Sequence, residues 1–309
     1  MAQDRPLLGI MLMLGFCVIA PMGDAIAKLL GQTVPVGQLV FVRFLVQALL
    51  LVPVIWITKR AWYMTPRVAL LAFIRTLLHI AGIAAMVTAL KFLPLADAIA
   101  IAFVMPFVML VLGKFVLGEE VGIRRILACA VGFAGTLLVV QPSFADVGWP
   151  ALLPIGVAVN FALFMLVTRQ IAKETDPVSL QAVSGVIAVV VMLPVLVAAQ
   201  GSRFDQLQVL QVSRLDWTLM ISIGILGTLA HLLMTWSLRY APSATLAPMQ
   251  YLEIPFATIL GFVVFGDLPG LIAASGILIT IAAGLYIILR ERATAQSQAM
   301  REASTQPAG

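Results

Sequence analysis

The sequence predicts an all-α membrane protein: ten transmembrane helices arranged as two inverted five-helix repeats. Three observations lead there. First, 62% of the 309 residues are hydrophobic and only 11% are charged, against about 45–50% and about 25% in soluble domains. Second, ten apolar runs of roughly 20 residues follow one another with short connections. Third, landmarks of the first half recur in the second at a nearly constant offset. So little charge cannot cover a soluble surface of this size. That excludes an ordinary cytosolic enzyme, a nucleic-acid binder and a disordered chain.

The runs are 7–30, 35–58, 67–90, 95–117, 123–140, 150–169, 178–199, 217–237, 243–265 and 270–289. Each is long enough for a helix to cross the hydrocarbon core at 1.5 Å per residue. The longest connection is 200–216. The first run is too long for a cleavable signal, and no small-residue cleavage site follows it. Basic residues set the orientation. With the N-terminus inside, the inner connections and tails hold Arg5, Lys59, Arg60, Arg67, Arg124, Arg125, Arg169, Lys173, Arg239, Arg290, Arg292 and Arg301. The outer ones hold Lys91, Arg203 and Arg214, with Lys28 at a helix end. Both termini are therefore expected in the cytoplasm, with 290–309 as a polar tail. The net charge of +5 is explained by topology rather than by a nucleic-acid partner. Cys17 and Cys129 both fall inside apolar runs, so neither a disulfide framework nor a metal-type spacing exists.

The repeat is read from four landmarks. Ala-Leu-Lys-Phe-Leu-Pro-Leu-Ala (89–96) matches Ser-Leu-Arg-Tyr-Ala-Pro-Ser-Ala (237–244) at an offset of 148. Pro106-Phe107 matches Pro255-Phe256 at 149. Gly118-Glu119 then pairs with Gly266-Asp267, and Gly122 with Gly270, again at 148. Pro35 with Pro177 and Pro53 with Pro194 are weaker matches. The units are 7–140 and 150–289. A unit of five spans is odd, so its copy inserts the other way up. Inverted repeats are the architecture of many secondary transporters, because two pseudo-symmetric halves can expose one central site to either side.

These segments resemble the drug/metabolite transporter superfamily, EamA type. Arg75 through Gln141 and Thr235 through Leu289 carry the likeness. Leu252-Glu253-Ile254-Pro255-Phe256-Ala257 is similar to the family's Glu-Pro-x-Phe-Ala segment with one residue inserted, and Asp267 stands where the family usually has Glu. The resemblance implies a carrier of the bacterial inner membrane. Its cavity would lie between spans 3, 4, 8 and 9 and their neighbours, with spans 5 and 10 at the back. Substrates in the family include amino acids, other metabolites, drugs and S-adenosylmethionine.

Ionisable side chains at membrane depth are costly unless paired or wet, so they are candidate functional residues. Arg43, Arg75, Glu253 and Asp24 lie furthest from span ends, joined by His79 and His231. Asp24 and Lys28, Arg43 and Gln47, and Arg75 and His79 are each four apart; Gln250 and Glu253 are three apart. Such spacings put both members on one helix face. Each stripe must turn from lipid towards the bundle interior or a water-filled cavity. Asp24 and Arg43 both sit roughly 10 Å inside one boundary on spans joined by a short turn. They are expected to form an intramembrane ion pair, either fixing the packing or acting as a gate or a contact for a substrate carboxylate. Glu253 would suit proton coupling or a contact for a substrate amine. Pro106 and Pro255 remove a backbone donor and are expected to bend their helices as hinges or packing kinks. Asn160 is placed at the cavity or between helices, and Tyr251, Phe103 and Trp236 at the cavity wall or in the core. Gly132, Gly135 and Gly276 through Gly284 read as close helix packing. Two histidines on different spans would be able to hold haem, but no other feature supports a cofactor, and none is expected.

The charged residues are unequal between halves: Asp24, Arg43 and Arg75 have no charged equivalents, and Glu253 corresponds to Met105. Mixed acidic and basic groups suit a small polar or zwitterionic metabolite, amino acid-like or S-adenosylmethionine-like. Efflux of amphipathic compounds is the alternative. Expected partners are this small molecule, the bilayer and protons; the sequence leaves monomer and homodimer equally open. No Gly-x-x-x-x-Gly-Lys-Ser/Thr loop, paired aspartates, His-Glu-x-x-His or filter loop occurs, which argues against ATP drive, an intramembrane enzyme and a channel.

Overall fold

A computed structural model of the chain describes residues 5–118, 122–267, 270–272, 274–283, 285, 286, 289, 290 and 293. Glu119, Glu120, Gly284, Arg292, Arg301 and the rest of the tail lie outside the described residues. Among those described, every element is helical. The helices are α1 (Pro6–Leu30), α2 (Val36–Thr58), α3 (Pro66–Leu90), α4 (Leu95–Ala102), α5 (Met105–Val116) and α6 (Ile123–Val147). They continue as α7 (Leu153–Ile171), α8 (Pro177–Ala199), α9 (Arg214–Tyr240), α10 (Ser243–Leu246) and α11 (Glu253–Leu260). Seven described segments are long and apolar enough to cross a membrane, with shorter apolar helices at Ile126–Leu138, Met249–Phe265 and Ala274–Ala283. These ten segments fall on the ten apolar runs. The chain is thus an all-α, multi-pass membrane protein.

Local chemistry starts and stops the helices. Thr65 caps α3, its hydroxyl accepting from the Val68 amide, with Pro66 in the first turn. Asp176 caps α8, accepting from the Val178 and Ser179 amides ahead of Pro177. Ser213 and Asp216 form a reciprocal capping box at the start of α9. The span 95–117 is broken at Phe103–Val104, where α4 ends and α5 begins. The span 243–265 passes from α10 through a 3₁₀ segment, Ala247–Leu252, into α11 and then a π turn, Gly261–Phe265. Each break therefore comes two or three residues before Pro106 or Pro255, not at the proline itself. A proline fits the first turn of a helix, where its missing donor goes unused, and it disfavours helix in the residue before it.

Hydrogen bonds tie the two ends of the bundle separately. At the end where the chain begins, here called proximal, the Arg5 amide donates to the Tyr240 carbonyl. Arg60 pairs with Asp176 and Arg67 with Glu174, each at 2.6 Å. At the distal end Lys28 meets Asp267 at 3.1 Å, and Lys91 Nζ donates to Gln206 Oε1 at 2.9 Å. Between the ends, α1 packs along α9, α2 along α8 and α3 along α7. One buried apolar cluster, running from Ile10 through Ile99 and Phe164 to Ile277, fills the interior. Large apolar side chains such as Leu49, Val190 and Phe115 stand exposed around the outside, as lipid contact requires.

Candidate functional site

Polar side chains of α1, α2, α3, α9 and α11 meet in the interior. They border a cavity of about 130 Å³. Its polar lining is Asp24, Arg43, His79, His231 and Glu253, and its apolar lining includes Phe16, Phe103 and Phe161. The cavity runs from Phe16 to Ala27 on α1, from Leu78 to Val87 on α3 and from Ile223 to His231 on α9. It therefore occupies the distal half of the bundle. No described residue of α6 lines it, in keeping with a back position for span 5. Spans 1, 2 and 6 add to its walls through Asp24, Arg43 and Phe161.

Glu253 is the first residue of α11, and Met105 is the first of α5; both line the cavity. The two broken helices thus aim their N-termini at the same space from matching positions. The partial positive charge of a helix start favours the Glu253 carboxylate there.

The expected Asp24–Arg43 ion pair is not formed. Among the described residues the ion pairs within 4.0 Å are Lys28–Asp267, Arg60–Asp176 and Arg67–Glu174. Asp24 and Arg43 face one cavity and feel each other's charge, but the guanidinium extends towards Gly227 of α9. Depth and adjacency were insufficient to predict contact, because a long side chain chooses among several neighbours.

The floor of the cavity is a pair of imidazoles. His79 Nε2 and His231 Nε2 lie 3.1 Å apart, fully inside the protein. One nitrogen must carry the hydrogen and the other accept it. Phe16, Phe44, Phe161 and Phe164 pack around the two rings. Direct contact leaves no gap for a haem iron between them, and no cluster of three metal-binding side chains exists among the described residues.

Beneath this floor, away from the cavity lining, lies Arg75. Its guanidinium donates to Thr168 Oγ1 at 2.8 Å, Ser184 Oγ at 2.9 Å and Thr235 Oγ1 at 3.5 Å, with the Phe164 ring 4.5 Å from Cζ. Among the described residues no carboxylate pairs with it. Gln47 joins the same layer, donating to the Gln181 carbonyl at 2.7 Å, while Gln181 donates to the His231 carbonyl and Thr235 Oγ1. These links bind α2 and α3 of the first half to α7, α8 and α9 of the second. Together with the proximal ion pairs they seal the bundle below the cavity.

The remaining candidates also stand outside the lining. Tyr251 is wholly buried and donates to the Cys129 carbonyl at 3.1 Å. Its ring lies where a side chain at Gly132 would stand, 2.7 Å from the ring carbon Cζ. Gln250 Nε2 meets Met165 Sδ at 3.0 Å, and Asn160 faces Gly82 across α7 and α3. Residues the sequence reading passed over include Gly227, Thr168, Ser184, Gln181 and Thr235. Gly227 was findable, since it sits 148 residues after His79 and both line the cavity. The hydroxyls carried no signal, because Ser and Thr inside helices usually bond their own backbone.

Comparison with known proteins agrees with the fold. The model of the EamA-like transporter family matches residues 7–141 and again 148–290. The S-adenosylmethionine uptake transporter of Rickettsia prowazekii (strain Madrid E) is 25% identical over 282 residues, covering 91% of this chain and 92% of that one. The riboflavin transporter of Rhizobium johnstonii is 28% identical over 220 residues, covering 70% and 69%. A crystal structure superposes with a TM-score of 0.70 at 18% identity, covering 92% of this chain and 96% of the other. The named relatives are transporters, not enzymes. With the family model covering both halves, the chain belongs to the EamA-like transporter family.

Proposed function

We propose that this chain is a secondary active transporter that moves a small polar or zwitterionic metabolite across the bacterial inner membrane by alternating access. Its ten spans form two inverted repeats, 7–140 and 150–289, with both termini and the 290–309 tail in the cytoplasm. Transport is coupled to protons or runs by exchange. One observation carries the reading: a cavity lined by Asp24, Arg43, Glu253 and two histidines, walled by both halves, with a buried hydrogen-bonded layer and two ion pairs on its proximal side.

The repeat reading has three supports. The family model matches twice. The helix breaks at Phe103–Val104 and at Leu252–Glu253 lie at the repeat offset. If spans 1, 2 and 3 correspond to spans 6, 7 and 8, then exchanging the halves turns the α1–α9 contact into the α3–α7 contact and leaves α2–α8 unchanged. This is the pattern of a two-fold axis.

The relatives' names make S-adenosylmethionine the first ligand to try. Purified protein in liposomes is expected to show saturable S-adenosylmethionine uptake, stimulated by preloading the lumen with unlabelled ligand. If protons drive uptake, a pH gradient accelerates it, and Glu253→Gln abolishes that acceleration while counterflow, weakened by the lost charge, remains measurable. Ohmic current instead of saturable flux would make the protein a channel. Full proton sensitivity in Glu253→Gln would remove Glu253 from coupling. Efflux of amphipathic compounds is the second reading, favoured by the aromatic wall of Phe16, Phe103 and Phe161.

A further inference from the structure

Two arginines are buried in the membrane interior, and their surroundings differ. Arg75 is satisfied by three hydroxyls and one ring face. Arg43 is 8% exposed and lines the cavity. Among the described residues, its buried Nε has no hydrogen-bond partner and no carboxylate lies within 4.0 Å of the side chain. The two carboxylates of the cavity, Asp24 and Glu253, are thus available to something other than Arg43.

The position of the guanidinium depends on a missing side chain. A Cβ at Gly227 would lie 2.7 Å from Arg43 Nη2 and 2.9 Å from Cζ, and closer still to Nε. Such distances do not occur between real atoms, so any larger residue displaces the head group. Glycine at 227 lets a cation from α2 lie against the backbone of α9 at the cavity edge.

We infer that Arg43, held over Gly227, is a seat for the carboxylate of the transported molecule, while Asp24 and Glu253 receive its cationic part. The inference rests on the zwitterionic substrate reading above and narrows it. A buried cation without a partner is costly, and a carboxylate ligand supplies the partner in a two-pronged geometry that guanidinium favours. The signs also match. Ionised, the cavity offers one positive and two negative groups. S-adenosylmethionine carries one carboxylate, one ammonium and one sulfonium, which is the complementary set. Riboflavin carries none of these charges. Gly227 acts as a positioning residue: it touches no ligand atom in this scheme but fixes where the guanidinium sits.

The test uses two ligands that differ only in the carboxylate, S-adenosylmethionine and decarboxylated S-adenosylmethionine. Binding to the purified full-length chain is measured by titration calorimetry. Wild type is expected to prefer the carboxylate form by at least about tenfold. Arg43→Gln and Gly227→Ala are expected to bind both forms alike, at the weaker affinity, and Arg43→Lys to recover part of the preference. If Gly227→Ala elutes as aggregate, the two Arg43 variants decide the matter. A preference that survives in Arg43→Gln overturns the seat, as does a wild type that binds both ligands equally; the zwitterion reading survives either result. A wild type that binds neither ligand overturns the substrate reading and the seat with it.

Discussion

Arg75 shows how a membrane-interior cation can be structural. It is fully buried, and its partners are neutral hydroxyls on three helices. Thr168 and Thr235 also donate to carbonyls of their own helices, those of Phe164 and His231, so each hydroxyl accepts from Arg75 while remaining satisfied. Replacing the guanidinium by an apolar chain of similar length removes three hydrogen bonds and leaves no new orphan donor. Arg75→Met is expected to destabilise the protein by about 2–4 kcal/mol. The same variant is expected to keep S-adenosylmethionine binding within about threefold of wild type, because the side chain does not line the cavity. A thermal melt and a titration on one sample check both statements. Intact stability with lost binding would put Arg75 in the site. The sequence marked Arg43 and Arg75 as equals, since both are mid-span cations four residues from a second polar group. What separates them is the opposite wall, Gly227 for one and Thr168, Ser184 and Thr235 for the other. No local pattern encodes a contact made across two halves.

Two spans that carry a proline are interrupted, whereas α1, α2 and α8 run unbroken past Pro21, Pro53 and Pro194. Runs 95–117 and 243–265 were legible as spans from apolar length alone. Their interruption was legible only as a kink, because a proline in sequence does not say which preceding residue leaves the helix. The break before Pro255 puts Glu253 at a helix start, and the 3₁₀ segment Ala247–Leu252 precedes it. Alanine at 255 would restore the donor and allow α-helix to continue through the break. Pro255→Ala is therefore expected to stiffen this span and slow turnover by roughly tenfold. Ligand affinity at equilibrium should change much less. Rapid-mixing uptake and titration on the same preparation distinguish the two quantities. Unchanged turnover would reduce Pro255 to a packing kink. Asp176 illustrates a different economy at this scale: one carboxylate caps α8 and also pairs with Arg60 across the halves. Exposed pairs of this kind contribute little each, about 0–1 kcal/mol, so the proximal ends are held mainly by the buried layer around Arg75.

Across the whole molecule, the membrane class, the helix positions and half of the candidate site were readable before any coordinates. Apolar run length reports spans directly, and rare interior charge reports the cavity. Asp24, Arg43, His79, His231 and Glu253 line it; Gln47, Arg75, Asn160, Gln250 and Tyr251 do not. Four of those five are buried and Asn160 is half-buried, and composition alone cannot tell such polar groups from ones facing a void. The native thiols have a practical consequence. Cys17 and Cys129 are both wholly buried, so the unmodified chain is already silent to membrane-impermeant maleimides. Single cysteines can be added without first deleting any. Tyr63, which is 86% exposed, and Phe204, 57% exposed, stand on connections at opposite ends of the bundle. In intact cells stripped of their outer membrane, Phe204→Cys is expected to react at once and Tyr63→Cys only after lysis. The reverse order would turn the whole protein over in the bilayer and place the cavity in the half nearer the cytoplasm.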